Sequence, residues 1–214
     1  MSVFNPKVAL PALFSLALLG CAKEGDLTVG GIIATRSACP TVAIPAPTGD
    51  ITLFNPESSR DASAIDVVAS ITNVQSTCNE TGEYIVTNVT FDVNAQRRDP
   101  SGARNVVLPY FAVVIQGSDN VVSKSVSRVS LDFAEGQYRA SSTGAATGQV
   151  LRAAATLPQD IQRELTRERE PGDVDAALDP MANPKVRAAV QRASFELLVG
   201  FQLTEEQLRY NATR

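Results

Sequence analysis

The chain has 214 residues, a formal net charge of -4, 44% hydrophobic and 20% charged residues, and no histidine. This ordinary globular composition excludes bulk disorder, and the lack of any stretch combining clustered Lys/Arg with aromatic residues excludes nucleic acid as a partner. Without histidine the commonest general base and the commonest metal ligand are both missing, so the usual serine, cysteine and zinc hydrolase schemes are excluded.

The first element is apolar. Lys7 precedes a run from Val8 to Leu19, and Leu18-Leu19-Gly20 leads straight into Cys21. A membrane span needs about 20 apolar residues, whereas this run is about a dozen, contains Pro11 and Ser15, and stops at a polar stretch opening with Lys23. One cation, a short apolar stretch and a small residue at its end form the layout of an export signal. Leu18-Leu19-Gly20-Cys21 resembles the processing site of bacterial lipoproteins. That resemblance implies removal of residues 1–20, a thioether from Cys21 to diacylglycerol, and acylation of the freed amine. Each buried methylene contributes about 0.8 kcal/mol, so several acyl chains together make release negligible. Ala22 rather than aspartate after the cysteine implies the outer membrane, periplasmic side, with the inner membrane as the alternative.

Once Cys21 carries lipid, Cys39 and Cys78 are the remaining thiols. An even pair in an oxidising compartment is expected to close as a disulfide. The alternative, two unpaired buried thiols, belongs to a chain that is not exported. Residues 21–37 contain Gly25, Thr28, Gly30, Gly31, Thr35 and Ser37, which suits a flexible tether. Ile32 and Ile33 are the one place where a strand could begin there.

From Cys39 onward the dominant period is two. Ile65, Val67, Ala69 and Ile71 alternate with polar residues, as do Ile85, Val89, Phe91 and Val93, so one face of each segment is buried and the other wet. Further strands are read at 41–44, 51–54, 106–116, 121–133 and 149–157. Residues 79–82, 99–102 and 117–120 supply the turn chemistry between them. Short gaps and the lack of crossover-length helices predict antiparallel hairpins, and residues 38–157 are read as an immunoglobulin-like antiparallel β-sandwich. Pro109 lies inside an apolar run where it cannot donate to a ladder, which predicts an edge position or a bulge.

After Leu157 the texture changes. Residues 158–183 are charged, with Ile161 and Leu165 as the only helical face of 158–170, and read as a solvated helix or loop ended by Pro171-Gly172. In 184–214, Asn183 before Pro184 caps a helix carrying Val186, Ala189, Val190 and Ala193 at helical spacing. Phe195, Leu197, Val199, Phe201 and Leu203 return to period two as a final strand. Thr204 to Gln207 forms a capping box, with Leu203 and Leu208 as its hydrophobic staple, for a short terminal helix. Gly200 inside the strand predicts a bulge or a close approach by another backbone.

Motifs for chemistry are scarce. Ser123-Lys124-Ser125 is the one candidate nucleophile dyad, and adjacent strand residues point to opposite faces, so Lys124 cannot reach either hydroxyl. Glu205 with Glu206 opens a helix, where acids complement the dipole, and Asp173 with Asp175 lies in a Pro/Gly-flanked loop. No calcium loop follows the Asp/Asn-rich pattern with a distal glutamate, Gly30-Gly31 lacks a following Lys-Ser/Thr cradle, and no cofactor or metal is expected. The three sequons at Asn79, Asn88 and Asn211 are coincidental in a bacterial lipoprotein. Tyr84, Tyr110 and Tyr210 are the candidate interface residues, since tyrosine joins large contact area to a polar tip.

Cys39-Pro40, Pro109-Tyr110-Phe111, and Val199-Gly200-Phe201-Gln202-Leu203-Thr204 with Gln207-Leu208 and Tyr210-Asn211 resemble a family of alphaproteobacterial outer-membrane lipoproteins over residues 38–214. The resemblance implies an envelope location and brings no activity or functional residues. The expectation is a non-enzymatic, lipid-anchored accessory or scaffold for other envelope proteins. A binding module for a small apolar or glycan ligand is the alternative, and a hydrolase is a minor third.

Overall fold

The computed structural model describes residues 37–167 and 178–213, together with the backbone of β1 (Leu27–Thr28) and β2 (Gly31–Ile32). Those two strands pair antiparallel, Leu27 with Ile32, in a unit that ends at Ala34. Cys21 and residues 168–177, which hold the expected Pro171-Gly172 stop and the Asp173/Asp175 pair, lie outside the described residues.

From Thr35 onward the chain forms one unit, and its period-two alternation becomes two four-stranded sheets facing each other as a β-sandwich. One sheet contains β3 (Thr41–Ala43), β7 (Arg104–Gln116), β8 (Asn120–Phe133) and β10 (Phe195–Phe201) in the order β3-β10-β7-β8. The other contains β4 (Asp50–Phe54), β5 (Ile65–Asn79), β6 (Tyr84–Arg97) and β9 (Arg139–Leu151) in the order β4-β5-β6-β9. All pairings within these sheets are antiparallel except β3 with β10, which is parallel. The inward faces meet in one core that includes Val67, Ile85, Val89, Phe91, Leu108, Val114, Leu131, Leu197, Val199 and Phe201. Phe195, Leu197, Val199 and Phe201 all point inward, as their alternation requires.

Several expectations are corrected. Pro109 occupies a central strand, since β7 lies between β10 and β8. It is tolerated because it stands one residue beyond the last β10–β7 pair, Phe201 with Tyr110. Its carbonyl accepts from Gln202 N at 2.9 Å. In an antiparallel ladder a residue's nitrogen and oxygen face the same neighbour, so the missing donor falls where that ladder ends. The β7–β8 irregularity sits at Val114/Ile115 instead.

The strand read at 149–157 is β9, which begins ten residues earlier and stops at Leu151; Arg152–Ala155 form a helical turn, α1. Its inward face is mostly small: Ala140, Ser142, Gly144, Ala146 and Gly148 precede Val150. A methyl group on Gly144 would overlap the Phe91 ring, and one on Gly148 would press on Leu197 and Val114 at 3.1 Å. Large side chains of neighbouring strands fill the layer that β9 leaves open, so β9 shows no hydrophobic alternation of its own.

In the charged segment after Pro158, residues 159–166 take the helical alternative, and the helix is not fully solvated. It is α2 (Gln159–Thr166), whose Ile161 is buried with Val186 and Ala189 of α3 (Pro184–Arg192) in a small second core flanked by Leu157, Leu165, Met181 and Val190. Two apolar positions four apart suffice when another helix offers a matching stripe. Asn183 caps α3 by accepting from Lys185 N at 3.0 Å. The predicted capping box opens α4 (Glu205–Thr213): Thr204 N donates to Gln207 Oε1 at 2.9 Å and Gln207 N to Thr204 Oγ1 at 3.2 Å. Gly200 is approached by a side chain rather than a backbone, since an added methyl would overlap Thr48.

Arg97, at the end of β6, is the largest fully buried side chain, 1% exposed. Its guanidinium donates to four backbone carbonyls: Gln137 (2.8 Å), Gly102 (2.9 Å), Pro100 (2.8 Å) and Ala134 (2.9 Å). It also lies 5.2 Å from the Phe133 ring centre. One planar fork thereby joins the β6–β7 and β8–β9 connections, using several of its fixed donors at once, which an ammonium cannot do.

Candidate interaction surface

The disulfide joins Cys39, just before β3, to Cys78 near the end of β5, with the α-carbons 6.2 Å apart. It fixes the start of the sandwich against the other sheet. Ser37 Oγ donates to Glu80 Oε1 at 2.9 Å and accepts from Cys39 N at 3.1 Å. Glu80 Oε1 also lies 2.8 Å from Cys39 Sγ; a disulfide sulfur carries no proton, so this is a close contact and not a hydrogen bond. The two sulfurs and this carboxylate lie within 4.8 Å of one another. Metal binding would need the sulfurs as thiolates, and here they are bonded to each other.

β8 is the outermost strand of its sheet, and residues 120–128 are exposed on both faces. The pleat separates its side chains into two rows. Lys124 lies over the Phe111 ring at 5.4 Å, on the outward face with Val126 and Arg128. Ser123, Ser125 and Ser127 occupy the other row, opposite Val114, Ala112 and Tyr110 of β7. Ser123-Lys124-Ser125 is therefore split across the sheet and holds no dyad. Val121, Val122 and Val126 are 59%, 48% and 55% exposed, and Val107 on β7 adds 50%. These exposed valines lie on the margin strand β8 and on β7 beside it.

The three tyrosines separate. Tyr84 begins β6 and is 48% exposed, opposite Leu151 of β9 at 42%. Tyr110 is not an interface residue: it is 6% exposed, meets Phe91 edge to face at 5.2 Å, and donates its hydroxyl to Ala145 O at 2.7 Å. Strand parity places it inward, and its polar tip is satisfied by the backbone of β9. Tyr210 is half-buried and edge to face with Phe54 at 5.1 Å, docking α4 on β4. The β8 valines escaped sequence reasoning because alternation reports two faces without reporting which strand lies at the margin.

Titratable groups with displaced pKa values serve structure. The backbone N–H and then the hydroxyl of Ser101 hold Asp99 below the ordinary carboxylate range. Hydrogen bonding to Asp66 raises Arg104, in a bidentate pair at 2.8 and 2.6 Å that links β7 to β5. Lys185, 2.8 Å away, lowers Asp160 and ties α2 to α3. A groove between the β7–β8 turn and α3 is lined by Gln116, Asp119, Asn120, Ala188, Gln191 and Arg192, from the strand ends, the turn and the helix. No helix among the described residues is long and apolar enough to cross a membrane. Comparison with protein families, characterised proteins and solved structures finds no match to this chain.

Proposed function

We propose that the protein is a lipid-anchored component of the bacterial envelope, acylated at Cys21, whose sandwich binds other envelope proteins as an accessory or scaffold and catalyses no reaction. It faces the periplasm from the outer membrane; the inner membrane is the alternative. The observation that carries this reading is the Cys39–Cys78 bond. It accounts for two of the three cysteines and leaves Cys21, at the end of the short apolar segment, as the remaining thiol. A disulfide also suits an oxidising compartment. The exposed valines of β7 and β8 support contact with protein over capture of a small ligand, which a concave and mostly apolar site would favour.

Intact-mass analysis of membrane-extracted protein tests the anchor. The expected species begins at Cys21, carries a diacylglyceryl group and an N-linked acyl chain, and is two hydrogens lighter than the reduced form. Recovery of an unacylated chain in the soluble fraction overturns the reading. So does a Cys21→Ser variant that is still cut at the same bond and stays with the bilayer through a carbonate wash.

A further inference from the structure

We propose that residues 120–128 of β8 form a docking edge for an extended, acidic segment of a partner protein, which adds to the sheet as a strand beside β8. This rests on the reading of the protein as a binding scaffold and names the chemistry of what it binds.

The four sheet margins differ. β3 has three residues, and β4 has five, with Asn211 of α4 donating to Asp50 O at 2.8 Å beside it. β9 is long, yet Tyr110 already donates to its Ala145 carbonyl. β8 runs for 14 residues with nine consecutive positions exposed on both faces, and among the described residues no strand lies beyond it. An unpaired strand edge presents alternate N–H and C=O groups to any extended chain, and side chains set which chain is accepted.

The side chains of this edge are cationic and aliphatic in alternation. Lys124, Val126 and Arg128 share the outward face, and residues 120–128 contain no acid. Residues 120–128 of a second copy offer no acid to these cations. Antiparallel pairing centred on Val126 sets Lys124 against Arg128, and a shift that brings Lys124 to Asp132 sets Arg128 against itself. Like charges directly opposite are destabilising. A strand with acidic residues at two positions four apart and an aliphatic residue midway meets both cations and covers Val126. On the other face Ser123, Ser125 and Ser127 are short, so they admit larger partner side chains. The same two cations thus disfavour these two self-pairings and select an acidic partner.

The test uses the full chain with its disulfide intact. The probe is a blocked, labelled heptapeptide of alternating threonine with glutamate, valine and glutamate at its second, fourth and sixth positions. Two control peptides replace both glutamates by lysine, or the threonine at the third position by proline. The acidic peptide should bind saturably, slow amide exchange at alternate residues of 120–128, and weaken with salt. The lysine peptide should bind at least about tenfold more weakly, as two charge pairs of this kind allow. Lys124→Glu with Arg128→Glu, both exposed, should invert that preference. No saturable binding, equal binding of acidic and basic peptides, insensitivity to the double charge reversal, or protection away from β8 each overturns the proposal. Binding is read on the sandwich whether or not Cys21 is acylated, so failure here is distinct from failure of the lipid anchor.

Discussion

Replacing Arg97 by Met should destabilise the sandwich severely, although the new side chain is apolar, unbranched and enters a site that is 1% exposed. Four carbonyls, those of Pro100, Gly102, Ala134 and Gln137, receive hydrogen bonds from this one guanidinium. Each bond to a charged group contributes about 1.5–3 kcal/mol net, but the four share one side chain and two connections, so they do not add. Leaving buried acceptors without a donor costs about 1–3 kcal/mol each, and because the four are not independent the expected loss is about 3–5 kcal/mol. Against a domain stability of about 5–15 kcal/mol it is a large fraction. Arg97→Lys keeps the charge yet cannot span four acceptors, and should lose about 1–3 kcal/mol. Urea unfolding followed by far-ultraviolet circular dichroism, under non-reducing conditions, measures both. Amide exchange should quicken first in 98–103 and 134–138. An Arg97→Met variant within about 1 kcal/mol of wild type, with exchange in those connections unchanged, would refute the role assigned to the buried fork.

Gly144→Ala forces a methyl group into the Phe91 ring, itself held by Tyr110, and should cost about 1–3 kcal/mol. Phe91→Leu in the same chain should recover part of that loss, and additivity of the two substitutions in urea unfolding would refute the clash. Reducing the Cys39–Cys78 bond, with a sequence separation of 39, should lower stability by about 4 kcal/mol on the chain-entropy model. Thermal unfolding with and without reductant checks this, and an unchanged midpoint contradicts it. Asp160, lowered by Lys185, has a folded pKa below its unfolded one, so its contribution is present above the ordinary carboxylate pKa and fades as pH falls through the folded value. Exchange at α2 amides, corrected for intrinsic pH dependence, should therefore rise on acidification in wild type and change less in Asp160→Asn.

The geometry of the sandwich also bears on how a partner strand would be received. Arg97 holds Ala134, just after β8, and Gln137, just before β9, so the connection between the two long margins is fixed from one buried point. At the start of the domain the disulfide holds Cys39 against β5. A strand edge held by rigid connections loses little conformational entropy when it is paired, which favours binding.

Local patterns alone determined much of this protein. The alternation in 65–71, 85–93 and 195–203, the cap at Asn183 and the capping box at Thr204 are short-range signals, and each states its own conformation. With Cys21 set aside by its resemblance to a lipoprotein processing site, the two remaining cysteines anticipated the Cys39–Cys78 pair. Other features belong to the tertiary structure because they depend on neighbours distant in sequence. β9 is a strand of small residues whose layer is filled by Phe91, Leu197 and Val114 from other strands, so no periodicity of its own could reveal it. Pro109 is accommodated because β10 stops beside it, and Ile161 is buried because α3 offers an apolar stripe. Tyr110 and Val126 could each be read as core or surface until pairing showed which strand is central and which lies at the margin. Period two distinguishes the faces of a strand, whereas only the order of strands in the sheet decides which face is covered and which edge remains open.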